Sequence, residues 1–269
     1  MVCVCKGAMD LANFQENIMF LHYEKANFVW KLIDMQKIIL FICVILFTAG
    51  KGYGQTLPVD SLRADFDKLY GLDVLLNNGK KYFPDKNPII GHPFWKSKDS
   101  FLADVTISGK TFTDRSLKYN LDKQEFLLVY TNYNGQQGQI ILNTSVIDSV
   151  NGQSFSFIPN VYPEIKQQFV QLIYQGRLAC YIGWYKELKI SSINGTRSGY
   201  QFSDDSHKNY LVYKGAVYRF SNKSSFLRIF NRAERISIRK YFSTNQFTFK
   251  DLDDSKLRKL IAYCDEILI

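Results

Sequence analysis

Histidine is nearly missing from this 269-residue chain, with three in all, at positions 22, 92 and 207. A histidine-dependent triad or a histidine-rich metal centre therefore has little to work with. There is no H-E-x-x-H, no C-x-x-C, no phosphate-binding glycine loop and no G-x-S-x-G. No catalytic residue, no metal ligand and no cofactor is expected from motifs. Proline is scarce at 6 residues, and no repeat of solenoid length is present, which excludes repeat arrays and Pro-rich low-complexity chains. The single long hydrophobic run, Ile38 to Ala49, is shorter than the ~20 apolar residues that span a bilayer.

Aromatics are plentiful. There are 17 Tyr and 21 Phe, 15% aromatic with Trp, and such side chains suit pleated, half-buried surfaces. The stretch Phe101 to Leu142 reads as a β-meander. Val105 and Ile107 alternate with polar neighbours, the period of a half-buried strand. Ser108-Gly109-Lys110 turns the chain, a strand runs from Thr111 to about Tyr119, and residues 120–123 turn it again. Phe126 to Tyr130 suits a central strand, and Asn134-Gly135, where both residues accept positive φ, marks a hairpin. Further strands are expected at 154–158, 169–174, 177–182, 200–202, 209–213 and 216–220, with turns at Asn194-Gly195 and Lys214-Gly215.

Helical spacing frames this body. Asp60 to Tyr70 places Leu62, Phe66, Leu69 and Tyr70 on one face. Phe226, Ile229, Phe230 and Ala233 predict a helix running to Tyr241 and Phe242, interrupted near Ile236. A final helix opens at residues 251–254, where acidic residues complement the dipole, and carries the stripe Leu257, Leu260, Ile261, Cys264, Ile267 and Leu268. The fold class expected is α+β: an antiparallel meander sheet, curved or a partial barrel, with C-terminal helices docked on it.

Met35-Gln36-Lys37, the apolar run and the small residues Gly52 and Gly54 before Gln55 make the three parts of a secretory signal peptide. The expected organisation is a non-native extension at 1–34, a signal peptide at 35–54, a β-rich body at 55–220 and helices at 221–269 packed on the same domain. Cys43 lies inside the apolar core, behind bulky Ile42, which argues against lipidation. Beyond Gln55 only Cys180 and Cys264 remain; they could pair after export or stay as buried thiols.

Charge is lopsided. With 34 Lys and Arg against 25 Asp and Glu, the net charge is +9. In an exported protein that favours acidic envelope polymers or anionic lipid over nucleic acid. Arg228, Arg232, Arg235 and Arg239 recur at spacings of 4, 3 and 4, which stacks them on one helical face. Arginine suits phosphate and carboxylate, so these four are the candidate binding residues, for an acidic glycolipid, polysaccharide or partner protein. A solvated helix face is the plainer meaning of the same run. Trp95, Tyr130, Tyr133, Trp184 and Tyr185 could stack on sugars or pack in the core. Asp204-Asp205 is the densest acidic spot in the β-rich part, and Asp253-Asp254 suits helix capping.

Asn78-Gly79 with Tyr82, Gly91-His92-Pro93-Phe94, Leu117-Lys118-Tyr119-Asn120-Leu121 and the closing Tyr218 to Leu268 run together resemble a loose group of uncharacterised exported proteins of Bacteroidetes-type bacteria. The resemblance implies envelope export and a β-rich fold, and it carries no catalytic residue across. The expectation is an exported binding or assembly protein of the periplasm or outer-membrane surface, with no transmembrane segment in the mature chain. The rivals are a glycan-active hydrolase with scattered carboxylates and a carrier of an apolar ligand.

Overall fold

The computed structural model describes residues 73–84, 89–132, 134–193, 197–249 and 252–268. All of them belong to the unit Pro58–Ile269. The extension at 1–34, the signal peptide at 35–54, the helix at Asp60–Tyr70 and the Asn194-Gly195 turn lie outside the described residues.

Fourteen strands are described: β1 (Lys80–Lys81), β2 (Ile89–Ile90), β3 (Phe101–Ile107), β4 (Lys110–Asn120), β5 (Glu125–Thr131), β6 (Gln137–Ile141), β7 (Ile147–Asn151), β8 (Ser156–Pro159), β9 (Phe169–Gln175), β10 (Ala179–Tyr185), β11 (Leu188–Ile193), β12 (Arg197–Phe202), β13 (Ser206–Tyr213) and β14 (Ala216–Phe220). Eleven form one sheet in the order β1-β6-β5-β4-β3-β7-β8-β9-β10-β13-β14, and β11-β12-β2 form a small second sheet. Every pair in the large sheet is antiparallel. Three helices follow: α1 (Lys223–Leu227), α2 (Arg232–Thr244) and α3 (Asp254–Ile267). The α+β class and the meander are as the sequence predicts.

Turn chemistry sets the hairpins. Ser108 and Gly109 both take positive φ, 49° and 79°, as do Lys214 and Gly215 at 51° and 77°. Two consecutive residues of that kind match the right-handed twist of the flanking strands. The Asn134-Gly135 loop works differently from its expectation. Of these two residues, Gly135 alone takes positive φ, at 76°. The loop is held by Asn132, whose Oδ1 accepts from the amides of Asn134 and Gln136.

The large sheet rolls up without closing. Strands β5 and β9 stand five places apart, which in a flat sheet is about 24 Å. Yet the Phe126 and Phe169 rings lie 5.0 Å apart, and Tyr119 reaches Phe169 at 6.3 Å. Register shifts at Ala103/Val105, Thr106/Ile107 and Cys180/Tyr181 supply bends, because a bulge kinks its strand and adds twist. The hollow of the roll is filled by Val105, Leu117, Tyr119, Phe126, Phe157 and their neighbours.

A second core lies between the helices and one face of β9, β10, β13 and β14, where Ile173, Cys180, Ile182, Leu211 and Phe220 meet Phe226, Phe242, Leu260 and Cys264. The helices thus share a core with the sheet. The helical region breaks at residues 228–231, not near Ile236. The cause is a second start signal. The Asn231 side chain accepts from the Glu234 amide at 3.0 Å, and Glu234 Oε2 accepts from the Asn231 amide at 2.8 Å. This reciprocal pair is a capping box. The break lets Phe226 and Phe230 both bury, their rings 5.2 Å apart, while Ile236 is left 61% exposed.

Candidate binding site

The break divides the four arginines. Arg228 forms the C-terminal cap of α1, and only Arg232, Arg235 and Arg239 belong to α2. Arg235 is half-buried, and its Nε donates to the Phe230 carbonyl at 2.7 Å, so it braces the break. Arg228, Arg232 and Arg239 are exposed, as is Lys240 beside them. The structure brings three of the four onto one helix and ties one of those three to the backbone. Sequence spacing could not reveal that tie, because Phe230 lies across the break.

A buried charge lies elsewhere, and no motif marks it. Lys186 follows β10 and its side chain is 6% exposed. Its Nζ lies 3.0 Å from Asp205 Oδ1 and donates to the His92 carbonyl at 3.0 Å. Asp205 Oδ2 in turn accepts from the Lys96 amide. The cluster pins the loop 91–96 against the ends of β10 and β13. His92 Nδ1 accepts from the Phe94 amide at 3.2 Å. Burial holds the His92 pKa below its usual value, with Lys186 as the next cause. A neutral imidazole beside a buried ammonium would suit proton transfer. Here, however, every protein contact of the cluster serves to fix the loop. Asp205 is thereby committed to Lys186 and Lys96.

Several other candidates have structural roles, and Tyr133 lies outside the described residues. Trp95 is 3% exposed and meets Phe101, Phe155, Phe157 and Trp184 edge-on, so it is core and no sugar platform. Trp184 Nε1 donates to Gln171 Oε1, and Gln171 Nε2 donates to Asp254 Oδ2, a chain that couples the sheet to the start of α3. Asp253 caps α3, accepting from the Lys256 amide. Cys180 and Cys264 are free and buried. Burial raises both thiol pKa values. Of the three sequence matches to the glycosylation acceptor pattern, Asn143-Thr-Ser, Asn194-Gly-Thr and Asn222-Lys-Ser, Asn194 lies outside the described residues, while the Asn143 and Asn222 side-chain oxygens cap Thr144–Val146 and α1.

Among the described residues no group of three His, Cys, Asp or Glu could hold a metal. Nor is any described helix long and apolar enough to cross a membrane. No protein-family model, curated protein or solved structure matches the chain.

Proposed function

We propose that the protein is an exported cell-envelope binding or assembly module, not an enzyme, which docks acidic envelope components through the basic surface of α1 and α2. One observation carries the reading. Arg228, Arg232, Arg239 and Lys240 are exposed and have no acidic partner among the described residues. Exposed arginines left free of internal ion pairs offer planar donors to phosphate or carboxylate. The Met35 to Gln55 pattern supports export, to the periplasm or the outer-membrane surface.

The test is co-sedimentation with vesicles of anionic and of zwitterionic lipid. Binding to the anionic vesicles alone, weakening with salt, is expected. The triple variant Arg228→Ser, Arg232→Ser, Arg239→Ser should abolish it. Equal sedimentation of variant and parent would reduce the surface to solvation. N-terminal sequencing of protein from fractionated cells checks the export half: a start at Gln55 supports it, and a start near Met1 in the cytoplasm overturns it.

A further inference from the structure

The sheet face turned away from the helices holds a second basic site, built with more care than the first. A cleft of about 180 Å3 opens there, lined by Glu164, Lys166, Lys208, Tyr210, Val217 and Arg219. Strand register creates it. Tyr210 on β13 pairs with Tyr181 on β10 and with Arg219 on β14, and Lys208 pairs with Gly183. Alternation along β13 puts Lys208 and Tyr210 on the same face. A Cβ at Gly183 would lie 2.5 Å from Gln167 Oε1 and 3.2 Å from the Tyr210 ring, so the glycine makes room for both. Lys208 Nζ lies 4.8 Å over the Tyr185 ring, a contact that an anion in the cleft would compete with.

The far wall is the loop between β8 and β9. Asn160 braces it, donating to the carbonyls of Tyr162 and Ile165 and accepting from the Tyr162 amide. Ile165 and Gln167 are 3% and 6% exposed. Glu164 and Lys166, which alternate with them, are exposed and line the cleft.

Three cationic residues and one carboxylate line this cleft. Lys166, Lys208 and Arg219 have no acidic partner among the described residues, and the contact that Lys208 makes is with a ring. Tyr210 is 5% exposed; burial raises its pKa, against the pull of Arg219, and keeps it a neutral O–H donor. A guanidinium, two ammonium groups and a phenol around one small space suit a tetrahedral oxyanion. Val217 offers an apolar contact beside them. Glu164 repels a second anionic group, which favours one compact anion over a polyanionic chain.

We propose that this cleft binds a phosphate monoester. Arg219 and Lys208 clasp its oxygens, Tyr210 donates to them, Lys166 closes the rim and Val217 meets the ester carbon. The site is independent of the arginines of α2, because it lies across the sheet from the helices.

Isothermal titration of the full chain with glycerol phosphate, inorganic phosphate and acetate tests it. Saturable binding of glycerol phosphate, tighter than that of inorganic phosphate, is expected, with none of acetate. Lys208→Gln and Arg219→Gln should each weaken it by roughly tenfold to a hundredfold, the worth of one charge-assisted hydrogen bond. Lys166→Gln, on the exposed rim, is the variant least able to disturb folding and should weaken it in the same direction. Arg232→Ser with Arg239→Ser should leave it unchanged. Equal affinity for the two phosphates would overturn the ester assignment. Absence of saturable binding, or binding indifferent to Lys208 and Arg219, would overturn the site. Neither failure would touch the vesicle result.

Discussion

Replacing Lys186 with Met would expose how the buried cluster works. At 3.0 Å from Asp205 the ammonium is attracted by roughly 5 kcal/mol at an effective dielectric of 20. Taking both charges out of water costs several kcal/mol per ion, so the pair as a whole contributes little. Losing one member is another matter. Asp205, with a side chain 22% exposed, would face the loop without its cation, and the His92 carbonyl would lose its donor. Breaking a fully buried pair costs about 3–5 kcal/mol. Asp205 keeps some water and the Lys96 amide, so we expect about 2–3 kcal/mol for Lys186→Met, below that range. Met fills the volume of the lysine stem, which confines the change to the charge. Urea unfolding followed by the fluorescence of Trp95 and Trp184 measures it. The double variant Lys186→Met, Asp205→Asn should recover at least about 1 kcal/mol relative to the sum of the singles. A loss under about 1 kcal/mol for the single variant, or strict additivity, would refute the claim that Asp205 depends on Lys186.

Two further outcomes follow from other parts of the fold. A Cβ on Gly79 would lie 1.9 Å from the Ile141 carbonyl oxygen. Gly79→Ala should therefore lift β1 from β6, cost about 1–3 kcal/mol, and remove the exchange protection of the Tyr82 amide, which donates to the Gln139 carbonyl; retained protection would contradict this. His92 favours its neutral form in the fold, so the unfolded chain binds more protons between the lowered pKa and the ordinary 6.5. Stability should be complete above that ordinary value and fall as the pH drops below it. His92→Asn, which keeps an acceptor for the Phe94 amide, should flatten that part of the stability–pH curve, and an unchanged slope would remove His92 as its cause.

Much of the sheet was legible because its signals are local. Val105 and Ile107 alternate with polar residues, Lys214-Gly215 is a two-residue turn, and Phe126 to Tyr130 is apolar throughout. Each of these acts within a few positions of itself. Strand β2 leaves no pattern in the sequence, because two residues, Ile89 and Ile90, carry no period, and their pairing partners are Tyr200 and Gln201, more than a hundred residues on. Strand β7 was missed because Ile147-Asp148-Ser149-Val150 places its apolar residues three apart. The helix break lies earlier than the apolar spacing predicts, because Asn231 and Glu234, three apart, carry a capping-box start signal inside an apolar pattern that runs on across it. The candidate sites divide the same way. The arginine spacing is visible in the sequence, and the role of Arg235 is not. The Lys186 cluster and the cleft around Tyr210 join residues from separate strands and loops, so register creates them and no short pattern announces them.

The order of the chain also gives the molecule an order of assembly. The core inside the rolled sheet draws on residues 76 to 169. Apart from Trp184, which packs against its edge, it asks little of the later strands and nothing of the helices. The neighbouring apolar face of β9, β10, β13 and β14 has no such freedom, because its cover is supplied by residues 226 to 268. The latches come last of all. Arg258 donates to the Ile173 carbonyl, Asp265 accepts from the Leu178 amide, and Arg177 reaches the carbonyls of Asp265 and Leu268. With α3 detached, a broad apolar surface would lie open beside the rolled half of the sheet. Intermediates of that kind aggregate readily.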